Sequence, residues 1–139
     1  MAKSKASQLD DYLTQQESVP FDWTAMNCCH FAQGWVQLME PHVDIVPKRD
    51  GKVGMLRAIQ EAGGMRKGIS ESWGRWDIPA PMAHPGDVVL FDAAASERSG
   101  STARMLGICT GRTAACKGED GSIVHVPMEL AVCAWPVGR

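Results

Sequence analysis

The chemistry this sequence can offer is concentrated in five cysteines and four histidines. Cys28 and Cys29 are adjacent, and apolar residues follow at Phe31, Ala32, Trp35, Val36 and Met39. With Cys28 they make the i, i+3, i+4, i+7, i+8 recurrence of a buried helical face. Asn27 suits an N-cap, because its side-chain oxygen can accept from first-turn amides, and Pro41 marks the far end. Cys28 is therefore expected at the first helical position, turned toward the core stripe. The positive end of a helix favours a thiolate there, which makes Cys28 the candidate nucleophile. The plainer alternative is one more small buried hydrophobe, since free cysteine is among the most buried residue types.

A nucleophilic thiol needs a base, and the base needs a group to orient it. His30 lies two residues beyond Cys28, about 200° around the helix, and so points elsewhere. His42 falls past the far end of that helix and His84 before the first strand. His125 sits between Val124 and Val126 inside a later strand, on the opposite face from both.

Around these residues the chain reads as follows. Its 139 residues, 45% apolar and 22% charged, make one globular domain. A net charge of −2 gives no reason to expect nucleic acid or an anionic membrane as partner. No apolar run approaches the ~20 residues of a membrane span, and the amino terminus lacks a secretory pattern. An odd number of cysteines in such a chain points to free thiols in a reducing cytoplasm. Residues 3–8 are polar and expected to fray. Leu9, Tyr12 and Leu13 suggest a short helix, and residues 14–20 a polar connection in which an N-terminal segment (1–20) ends. Phe21 and Trp23 are expected to pin the loop before the cysteine helix. A further helix is expected over 52–62, ended by Gly63-Gly64.

Residues 65–83, with Trp73, Trp76 and two prolines, read as a packed surface loop that doubles as a candidate binding surface. From Pro85 the chain turns to strands: GDVVLFD, then 104–110, 113–117, 122–126 and 131–137, with close turn signals that imply antiparallel neighbours. Helices first and strands after is an α+β pattern.

MNCCHFAQGWV, PGDVVLFD and MLGICTGR, completed by GSIVHVP and AWPV, resemble in their order the NlpC-type papain-like cysteine peptidases. The resemblance covers roughly residues 21–137. It is closest to an uncharacterised branch found in phage and prophage tail gene modules. It implies a papain-like domain over 21–139, with N-terminal helices packed on a small antiparallel, partly barrel-like sheet and Cys28 as nucleophile. It also implies a basic histidine at the start of the strand ending LGICTG, where this chain has Met105. The third, orienting residue would fall near 114–116, where no histidine stands. In such a fold the face carrying Met105, Gly107, Cys109 and Cys116 would be turned toward the cysteine helix. Cys28, Cys109 and Cys116 would then converge, with Cys29 or Cys133 as a fourth thiol able to hold zinc or an iron–sulfur cluster. The chain has no C-x-x-C pair, so a patch of buried thiols is the simpler reading, and no cofactor is expected.

The resemblance, less the missing base, implies a structural component of a tailed-phage tail tip or hub, made in the host cytoplasm and carried in the virion. Its partners would be other tail proteins, met through the Trp73–Trp76 segment, residues 93–102 or the N-terminal segment. An active cell-wall peptidase or amidase acting on peptidoglycan through Cys28 is the second reading. A thiol-ligated metal module is the third.

Overall fold

The computed structural model describes residues 3–20, 28–45, 64–91, 105–118 and 120–139. The expected Asn27 cap, the Phe21 and Trp23 anchors, the helix over 52–62 and the loop at 93–102 lie outside them.

Helix α1 runs from Lys5 to Glu17, longer than its short apolar stripe suggests. Ser4 caps it, its side chain accepting from the Ser7 amide at 3.1 Å, so residues 5–8 are helical rather than frayed. Tertiary bonds hold both ends: Lys5 Nζ donates to the Val137 carbonyl, and Lys117 Nζ to the Gln16 carbonyl. Midway, the Tyr12 hydroxyl donates to the Phe31 carbonyl at 2.6 Å, and its ring stacks on Phe31. The N-terminal segment is thus built into the main core.

Helix α2, Cys28–Met39, buries Cys29, Phe31, Ala32, Trp35 and Val36. The last four are fully enclosed, and each large side chain among them stabilises the fold by about 1.5–3 kcal/mol. Helix α3, Met65–Trp73, replaces the expected loop. Met65, Ile69 and Trp73 at i, i+4, i+8 face the core, and the signal was obscured by Gly68 in mid-helix. Gly64 begins this helix as its N-cap, whereas it was expected to end the preceding one.

The strands are β1 (Ile78–Pro79), β2 (Val88–Phe91), β3 (Met105–Cys109), β4 (Thr113–Lys117), β5 (Ile123–Pro127) and β6 (Ala131–Trp135). They form one antiparallel sheet in the order β1-β6-β2-β3-β4-β5. The coarse α+β architecture is therefore as expected. Only residues 128–130, in a 3-10 turn, connect β5 to β6. In a flat sheet the two strands would stand four spacings apart, about 19 Å. Four Cα steps reach at most about 14 Å, so the sheet must curl.

The curl separates two cores. Val88, Leu90, Leu106, Ile108, Ala115, Cys133 and Trp135 face the helices. Val89, Phe91, Met105, Cys109, Ala114, Cys116, Val126 and Ala134 fill the inner side. The face bearing Met105, Cys109 and Cys116 therefore lies on the far side of the sheet from the body of α2, and of that helix Cys28, at its first position, packs against both cores. Side chains alternate along a strand, and α2 lies on the Leu106–Ile108 face.

Candidate functional site

Cys28 opens α2, half-buried where the two cores meet. A hydrogen bond from the Cys29 thiol is the main influence on it and holds its pKa below the ordinary cysteine range. Burial pushes the other way, and the backbone amides of Leu106, Cys28 and Cys29 add to the lowering. Two of these amides belong to the first turn of α2 and the third to β3, so helix and sheet together cradle a thiolate. Cys29 moves in the opposite sense: the bond to Cys28, burial and the neighbouring charge all keep it protonated. Cys29 lies deeper than Cys28, with Ala32 and Val36 three and seven residues further on. The sequence gives no sign that Cys29 bonds Cys28, because adjacent side chains on a helix point about 100° apart.

The side chain at the position where the peptidase resemblance implies a base is that of Met105. It is 1% exposed, paired with Phe91 across β2–β3 and packed in the inner core. The next residue, Leu106, is the one whose amide meets the Cys28 sulfur. His42 follows the end of α2, His84 stands in the turn before β2, and His125 is exposed on edge strand β5 opposite Ala115.

This arrangement can form a thiolate and present amides to a developing oxyanion. Amide cleavage also needs an acid to protonate the leaving nitrogen. Cys29 keeps its proton while Cys28 is ionised, held by the bond to Cys28, by burial and by the neighbouring charge.

The other cysteines do not join Cys28 as ligands. Cys109 donates to the Gly111 carbonyl at 3.6 Å and Cys116 to that of Ala114 at 3.8 Å. Burial raises both thiols and keeps them protonated, with the Cys28 charge adding to the effect at Cys116. Cys116 packs over Gly107, where a Cβ would stand 2.5 Å from its sulfur, so this thiol replaces a missing side chain. Cys133 lies on the helix side. Among the described residues no group of three or more His, Cys, Asp or Glu side chains is placed to hold a metal ion.

Trp73 and Trp76 part company. Trp73 packs against the helix-side core and carries the Arg75 guanidinium 4.8 Å from its ring centre. Arg75 in turn grips Glu40 through two nitrogens, at 2.7 and 2.8 Å, which makes Trp73 part of a brace. Trp76 is 84% exposed. The residues beside it that can bond a ligand, Arg66 and Asp77, gave no signal in the sequence because their pairing spans the turn after α3.

Residues 2–137 match a family described as a domain of unknown function, DUF6950. The chain belongs to that family. No curated protein matches it. Among the described residues no helix is long and apolar enough to cross a membrane.

Proposed function

We propose that this chain is a structural component of a tailed-phage tail tip or hub, a papain-like scaffold that has lost its proton acceptor. One observation carries the proposal: the residue beside the amide that holds the Cys28 sulfur is Met105, sealed in the inner core at 1% exposure. A methionine neither accepts a proton nor holds a charge, and a scaffold alone confers no activity. In this reading the chain works by contact with neighbouring tail proteins in the virion.

Co-purification of the tagged chain with each neighbouring tail protein tests it, and a stable complex with at least one is the expected result. Incubation with peptidoglycan stem peptides should yield no cleavage. Hydrolysis that disappears in Cys28→Ala would overturn the proposal and establish the second reading, a cell-wall peptidase or amidase. The lowered Cys28 thiol is the observation that favours that alternative.

A further inference from the structure

Helix α3 and the residues after it frame a groove of about 520 Å³. That lies within the roughly 300–1,000 Å³ of small-molecule sites. Met65 and Ser70 form part of its wall, and Trp76 stands over it with 84% of its surface in water. Trp73, three residues earlier, is turned inward, so the exposure of Trp76 does not follow from a general shortage of core.

The charges beside this indole cancel. Arg66 donates to Asp77 Oδ2 from Nε at 2.9 Å and from Nη2 at 2.5 Å, and Lys67 lies 4.0 Å from Glu71. Two cations face two carboxylates, which leaves no surplus charge to attract an anion or a nucleic-acid backbone. Both Arg66 bonds fall on one oxygen of Asp77, whose side chain is only 14% exposed. A carboxylate has a second oxygen able to accept, and a guanidinium has hydrogens beyond the two used here. A ligand that fits must be neutral, rich in both donors and acceptors, and carry one apolar face for the indole. Apolar peptide segments lack the first kind of match, and their partners are usually uncharged stripes.

We propose that the Trp76 groove binds a neutral oligosaccharide. The C–H face of one pyranose ring stacks on Trp76, and its hydroxyls bond Asp77 and Arg66. This site lies on α3, whereas Cys28 sits at the start of α2 against β3, so the proposal stands independently of the tail-component reading.

Chitotriose, cellotriose and maltotriose would be titrated into ¹⁵N-labelled protein. The Trp76 indole signal is identified by its loss in Trp76→Phe. At least one trisaccharide should move that signal saturably. Trp76→Ala should weaken its binding roughly tenfold while leaving the unfolding midpoint in place. The proposal is overturned if none of the three moves the signal at about 10 mM, a concentration that reveals even weak sites. It is equally overturned if Trp76→Ala binds as well as the parent, or if a tail protein protects Trp76 while no saccharide does.

Discussion

The two ends of helix α2 are built on opposite principles. At its carboxyl end polar groups from distant parts of the chain close into a network. Asp87, fully buried, accepts from the His84 amide at 2.8 Å, the Val137 amide at 3.1 Å and Arg139 Nη2 at 2.6 Å. Trp35 Nε1 donates to the Gly86 carbonyl at 2.7 Å, and Gly86 takes a φ of 96° that its lack of a Cβ permits. Glu40 joins Arg75 to the Gly138 amide. At the amino end a sulfur is held ready to ionise by amides and a thiol, yet the neighbouring inner-face side chain is a methionine. Closed polar networks fix a fold, whereas catalysis needs a proton path that stays open. The described residues show the network, and the proposed function is that the path has been lost.

Asp87→Ala should have the largest effect. Removing one partner leaves Arg139 and two amides without their acceptor, and the loss expected is about 3–5 kcal/mol by chemical denaturation. A loss under about 1 kcal/mol would mean that the knot is not structural. Next, Met105→His should cost about 2–3 kcal/mol, because it puts a polar ring into an apolar core. It should yield no stem-peptide hydrolysis, since Phe91, paired with position 105 across β2–β3, offers the new ring no group to orient it. Hydrolysis appearing in that variant would erase the contrast between the two ends.

Glu40→Gln should cost about 2 kcal/mol near neutral pH. Burial pushes the Glu40 pKa up, but Arg75 and the Gly138 amide outweigh it and the net shift is downward. A carboxylate depressed in this way contributes stability that is full above its unfolded pKa of about 4.3. That stability is lost as pH falls through the lower folded value. The acid limb of the parent's unfolding curve should therefore flatten in Glu40→Gln.

The smallest effect on stability, within about 1 kcal/mol, is expected for Cys28→Ala. The readout there is chemical. Alkylation of the native protein should be lost, and in the parent it should rise with a midpoint below the ordinary cysteine pKa of about 8.5. Cys29 should stay unlabelled until the chain unfolds.

Much of this was legible in advance. The spacing from Cys28 to Met39 is long and periodic enough to specify one helix, and the GR, GEDG and PMEL breaks mark strands β3 to β6 to within a residue or two. Residues 65–73 were obscured, because a central glycine and flanking tryptophans give a weak period that tertiary burial of Met65 and Ile69 makes good. The length of α1 was hidden for a related reason. Its ends are held by Lys5 and Lys117, whose partners lie over a hundred residues away in sequence.

The sequence by itself determined the alternation of side chains along each strand, the periodic face of α2 and the absence of a histidine at position 105. These are local matters of backbone geometry and residue identity. Tertiary structure alone decided which side of the sheet the body of α2 would cover, and with it that Cys109 and Cys116 would lie on the other side, where Cys28 packs against their core. That choice depends on how a short 3-10 turn forces the sheet to curl, a long-range closure that no run of neighbouring residues encodes.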